Sequence, residues 1–148
     1  MLVLVNVHLS AYDEGGVYRT KQWEQLLNFF NDEVSKGNYI VCGGDFNHDI
    51  SLDESFVGFP TNQLMPEWIY ILTENDLISK SPNMRFITST NAPTRRSTDM
   101  PYVKGENYCA VIDGFIVSSN VEVKYIENID LDFLYSDHNP VYMEFVLK

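Results

Sequence analysis

Two apolar, β-branched runs, residues 2–7 and 39–42, bracket a stretch in which Trp23, Leu26, Leu27, Phe30 and Val34 recur at helical spacing. Period-two and continuous apolar runs predict strands, and a 3.6-residue stripe between them predicts a helix, so the first third reads strand, helix, strand. The helix spans about residues 18–36, after the Gly15-Gly16 break, with Gly37 where a C-terminal cap belongs. Its stripe is a core face, not a cofactor box. His8 ends the first strand, and Gly43-Gly44 end the second.

Downstream, residues 47–63 read as a polar loop, and Pro66 opens a short helix to about residue 74, since proline suits a first helical position. Residues 79–105 read mostly as turns and extended pieces around Pro82, Asn83, Pro93 and Pro101, a length that is often functional. Strands follow at 108–117, 121–126 and 141–147. Strand, helix, strand, helix and then several strands predict an α/β class with a mixed β-sheet flanked by helices. The 148 residues suit one domain, 1–148, without repeat or linker. A compact chain of this size buries roughly 70% of its extended surface.

The net charge of −11 argues against broad, sequence-independent nucleic-acid binding, which rests on a basic face. It does not exclude a phosphate substrate, because a bound divalent cation supplies positive charge locally. Cys42 and Cys109 lack metal-ligand spacing and read as buried small hydrophobes or reduced thiols. No apolar run approaches the ~20 residues of a membrane span, and the first eight residues lack the basic start and cleavage site of a signal peptide. The default expectation is cytoplasmic. A buried strand beginning at the first residue, where domains usually start with a frayed lead, raises the expectation of a segment upstream.

The informative residues are the polar ones that interrupt these strands. His8 ends one, Asp45 and Asn47 follow another, Asp113 lies inside an apolar run, and Asp137 and His138 precede the last. Carboxylates and imidazoles at strand ends converge on one sheet edge in α/β folds. Aspartates offer the hard oxygens preferred by Mg²⁺ or Mn²⁺, and histidines hold or move protons near neutral pH. Taken singly, each has a plainer role. Asp45 and Asn47 would also serve to close a turn, Asp137 to cap one, and His8 as a structural residue. Asp113 is harder to dismiss, because an unpartnered carboxylate in an apolar strand is costly.

Four segments together resemble successive motifs of the endonuclease/exonuclease/phosphatase superfamily, with its deoxyribonuclease-I-like fold. They are Asn6-Val7-His8-Leu9, Gly44-Asp45-Phe46-Asn47, Ile112-Asp113-Gly114-Phe115 and Ser136-Asp137-His138-Asn139-Pro140-Val141. They occur in the family order across nearly the whole chain. Pro93-Thr94-Arg95-Arg96 also resembles a substrate-side segment of bacterial members. The resemblance implies a divalent-metal-dependent phosphoester hydrolase acting by water attack on phosphorus. Asp45 would orient or activate the water and Asn47 would hold it or a phosphate oxygen. Asp137 would ligate Mg²⁺ or Mn²⁺. His138 would contact the phosphate, with Asp113 fixing its tautomer, and His8 would be a second phosphate-side histidine. Arg96 would contact a substrate phosphate, with Arg95 its rival. His48, Asp49 and Arg19 are left structural.

The same resemblance implies that two motifs, an Asn and a metal-binding Glu, precede residue 1. The chain is then expected to be the C-terminal part of a four-layer α/β/β/α sandwich, a partial one lacking its N-terminal half. Three expectations follow: weak metal binding, slow turnover by this part alone, and an apolar sheet face open to a second copy in a homodimer. The alternative is a catalytically incomplete module acting in binding or self-association. Nucleic acid remains a substrate class that the charge does not favour.

Overall fold

The computed structural model describes residues 1–52, 55–67 and 69–148. Its centre is a four-stranded sheet, made of β1 (Leu2–His8), β2 (Tyr39–Asp45), β3 (Met84–Ile87) and β6 (Asp113–Ser118), ordered β1-β2-β6-β3. β1 runs parallel to β2, whereas β6 is antiparallel to both of its neighbours, β2 and β3. The sheet is mixed, as expected. The parallel pair needs a crossover, supplied by α1 (Val17–Ser35). Gly37, at φ +74°, ends α1 in a Schellman motif: its N–H donates to Val34 O at 2.9 Å, and the Asn38 N–H donates to Glu33 O at 3.1 Å.

One face of the sheet packs against α1. Trp23, Leu27 and Phe30 meet Ile40, Cys42, Phe46, Phe86 and Ile116 in the main core. The Trp23 and Phe86 rings lie parallel at 6.0 Å, and Phe46 meets both edge-on at 6.5 and 6.3 Å. Each such side chain contributes about 1.5–3 kcal/mol by leaving water. The opposite face, at Val41, Ile87 and Val117, carries the antiparallel hairpin of β7 (Val121–Asn128) and β8 (Val141–Leu147) through Val121, Val123, Met143 and Phe145. Helix, sheet and hairpin make three stacked layers. The face expected to lie bare is therefore covered over β2 and β6. Leu2 and Leu4 on β1 stay exposed, Leu4 to 69%.

Three sequence expectations need correction. The helix expected at 66–74 does not form. Pro66 opens only a turn, with its O accepting from the Ile69 N–H at 3.1 Å, and Ile71 lies in a bridge with Asp49 (Trp68 falls outside the described residues). The helix is α2 (Glu74–Ile78), which starts where the other was to end. A capping box decides this: Asp76 Oδ2 accepts from the Thr73 N–H, and Thr73 Oγ1 accepts from the Asp76 N–H. The turn-rich region contains β3. The strand expected at 108–117 breaks at Val111-Ile112 into β5 (Cys109–Ala110) and β6, with β5 pairing with the short β4 (Arg95–Arg96). No helix among the described residues is long and apolar enough to cross a membrane.

Candidate active site

The sheet builds the site as a single row. His8 on β1 is the register partner of Asp45 on β2, and Asp45 is the partner of Asp113 on β6. Paired residues share a face, so three functional side chains from three strands stand side by side at one end of the sheet. Gly44 makes the row possible. At φ +143° it brings its backbone so near β1 that an added Cβ would lie 2.0 Å from Val7 O.

The break between β5 and β6 seats Asp113. Thr94, fully buried, accepts at Oγ1 from the Ile112 N–H at 2.9 Å and the Asp113 N–H at 3.1 Å. The Ile112 O accepts from the Phe46 N–H at 2.9 Å, tying the loop after β2 to the same break. His138 is brought in by the segment before β8. The Asn139 N–H donates to Thr94 O at 2.8 Å, Asn139 Nδ2 donates to Pro93 O at 3.0 Å, and Arg95 forms a β-bridge with His138.

Around Asp45 the distances are short. His138 Nδ1 lies 2.9 Å from Asp113 Oδ2, and its Nε2 lies 3.9 Å from Asp45 Oδ2. His8 Nε2, on a largely exposed ring, is 3.5 Å from the same Asp45 oxygen. Asn47 holds Asp45 from the other side: its N–H donates to Oδ1 at 2.7 Å and its Nδ2 to Oδ2 at 3.2 Å. Asn47 itself is buried, sits at φ +47°, and gives a further Nδ2 bond to Leu9 O at 2.7 Å. Asparagine is among the few residues that adopt this backbone readily.

The electrostatics follow from this crowding. Burial raises the Asp45 carboxyl above its ordinary value and Asp113 adds to the rise, against the Asn47 N–H and the two imidazoles. For His138, burial pushes downward, but the hydrogen bond and charge of Asp113, with Asp45 and Asp137, outweigh it and hold the ring above its usual value. Nδ1 of His138 faces Asp113, and Nε2 faces Asp45. The arrangement suits a carboxylate that takes a proton beside an imidazolium that stabilises an anion.

Five of the sequence-derived residues, His8, Asp45, Asn47, Asp113 and His138, therefore meet. Asp137 lies next to them and acts electrostatically on His138, while its O accepts from the Arg96 N–H at 3.1 Å. The Arg96 guanidinium donates from Nη1 to Ser97 O at 2.8 Å. Arg95 is the more buried of the two and lines a cavity of about 450 Å³ with Tyr12, Gln63 and Tyr108. Sequence reasoning passed over Thr94 and Asn139 as site-builders, although both stand inside quoted motifs.

Among the described residues, Asp45, Asp113 and His138 offer ligand atoms that all lie within 4.8 Å of one another. Two carboxylates suit a hard divalent cation. The Asp113–His138 hydrogen bond occupies one Asp113 oxygen and Nδ1, and Asn47 donates to both Asp45 oxygens, which leaves the second Asp113 oxygen as the anionic donor of this group least engaged within the chain.

No protein-family profile matches the chain, and no curated protein matches it. Among solved structures it is similar to the crystal structure of D. rerio TDP2 complexed with a single-strand DNA product, with a TM-score of 0.60 and 16% identity. The match covers 98% of this chain and 56% of that one, so the chain spans little more than half its neighbour's length. At that identity the likeness is one of architecture alone: a mixed α/β, deoxyribonuclease-I-like fold.

Proposed function

We propose that this chain carries the proton-transfer and phosphate-contacting residues of a divalent-metal-dependent phosphoester hydrolase. The observation that supports this most is the His8–Asp45–Asp113 row closed by His138. Asp45, with its proton affinity raised and both oxygens steered by Asn47, accepts a proton from the attacking water. His138, held protonated by Asp113, donates from Nε2 to a non-bridging phosphate oxygen, and His8 approaches from the open side. Asp137 and the second Asp113 oxygen are the groups that would hold Mg²⁺ or Mn²⁺ beside Asp45. When bound, such an ion offsets the negative charge that develops at phosphorus. Arg96 or Arg95 adds a phosphate contact from β4.

The neighbour's DNA product makes nucleic-acid esters one substrate class to test, while the net charge of −11 favours small phosphoesters over long polyanions. The test is hydrolysis of bis(p-nitrophenyl) phosphate and of a short single-stranded oligonucleotide, with Mg²⁺ or Mn²⁺. We expect metal-dependent turnover that Asp45→Asn lowers by on the order of 10²–10⁴-fold. Turnover indifferent to that substitution or to a chelator would overturn the reading.

A second reading, docking of β1 against another copy of the chain, draws on the exposed Leu2 and Leu4. Light scattering of the wild type beside Leu4→Lys distinguishes it: a dimer lost in the variant supports docking, and a monomer in both excludes it.

A further inference from the structure

Arg19 is almost fully buried in the first turn of α1. That position is doubly unfavourable for a cation, which loses its water and faces the positive end of the helix dipole. Its polar partners show what it does there. Nη1 donates to Asn47 O at 2.6 Å, Nη2 reaches Asp13 O at 3.5 Å, and its own backbone N–H donates to Asp13 Oδ2 at 2.7 Å. Asp13 is also buried, and its O accepts from the Gly16 N–H at 2.8 Å, closing the turn that leads into α1.

The carbonyl that Arg19 holds belongs to the residue that steers both Asp45 oxygens. Asn47 directs its N–H and Nδ2 toward Asp45 from a backbone held at φ +47°. Next to it, His48 Nδ1 lies 2.6 Å from Phe46 O. The far side of the loop is therefore gripped at consecutive carbonyls, while its near side faces the reaction.

We propose that Arg19, anchored by Asp13, is a positioning residue that fixes Asn47 and through it the Asp45 carboxylate. This deepens the hydrolase reading and rests on it. Arg19, Asp13, Trp23 and His48 line a cavity of about 900 Å³, so a truncated Arg19 leaves a space that a small ion can enter.

The test compares wild type, Arg19→Ala and Arg19→Lys by amide hydrogen exchange and by kinetics on bis(p-nitrophenyl) phosphate with Mn²⁺. The Ile40 N–H, bonded to the buried Ser118 Oγ within the sheet, reports on global opening, and the Asn47 N–H, bonded to Asp45, reports on the loop. In Arg19→Ala we expect Asn47 exchange to quicken by on the order of tenfold or more while Ile40 stays within about threefold. We expect kcat to fall by on the order of 10²-fold, as for a misplaced reacting group, with KM moving less. Millimolar guanidinium should restore both readouts, methylammonium should not, and Arg19→Lys should resemble Arg19→Ala. Equal quickening of both amides, unchanged Asn47 exchange, or a kcat loss matching only the unfolded fraction would overturn the proposal. Turnover that ignores Asp45→Asn overturns the hydrolase reading, whereas the exchange comparison by itself decides whether Arg19 holds the loop, even where this chain alone turns over too slowly to detect.

Discussion

Asp45 and Asp113 are direct partners across the antiparallel β2–β6 ladder, and the His138 imidazole spans their carboxylates, at 2.9 Å to Asp113 and 3.9 Å to Asp45. Two neighbouring carboxylates are thereby made unequal. Asp113 is committed to an imidazole, whereas Asp45 is steered by an amide and left facing the open edge.

Removing the Asp113 charge should act through His138. Asp113→Asn keeps the shape but withdraws the partner that holds the ring protonated at Nδ1. We expect kcat to fall by on the order of 10²–10⁴-fold, the usual share of a proton-transfer group. Little change in melting temperature should accompany it, since both groups are partly exposed.

The rate should follow a bell in pH. Asp45 must be ionised; burial raises its carboxyl in the metal-free protein and a cation held beside it pulls it back down, so the acid limb moves to lower pH as Mg²⁺ is raised. His138 must be protonated; burial opposes this but Asp113, Asp45 and Asp137 outweigh it, so activity falls as pH rises through a value above 6.5. In Asp113→Asn the depressing effect of burial remains while the supporting charge is gone, and the basic limb should move down. A pH–kcat profile of both proteins checks the sign.

Thr94 is the hinge pin of the β5–β6 break. Thr94→Val removes the acceptor of two backbone N–H groups, Ile112 and Asp113, with no change in bulk. We expect about 1–3 kcal/mol of lost stability for each donor left unpaired, read by denaturant unfolding, and a larger loss of activity than of folded protein.

Gly44 tolerates no side chain. Gly44→Ala would force a methyl onto Val7 O at a backbone angle that L residues rarely adopt. The unfavourable conformation alone costs about 1–3 kcal/mol. We expect a lowered melting temperature and loss of the β1–β2 amide protection around residues 6–8.

Most of the sheet was legible because apolar runs and a helical stripe announce themselves by composition, although β1 proved half exposed, and the residues meeting around Asp45 were legible because they stand in or at the ends of such runs. What escaped detection depended on hydrogen bonds between distant segments. Arg19 reads as one more helix residue until its contact with Asn47, 28 positions later, is known. Thr94 and Asn139 look like loop residues until β4, β5 and the segment before β8 are brought together. The helix near residue 70 was misplaced for a different reason. Pro66 is a permissive start signal, whereas the Thr73–Asp76 box is a bonded one and prevailed.

The row across β1, β2 and β6 has one more consequence. Side chains alternate along β1, with His8 and Leu4 on one side and Val5 and Val7 on the other. A slip of a single position against β2 would turn the imidazole toward α1 and present valine to the substrate. Gly44, pressed against Val7 O, is where that misalignment would be felt first. Correct strand threading and chemical competence are thus one event: a molecule folded out of step would be silent, not merely slow.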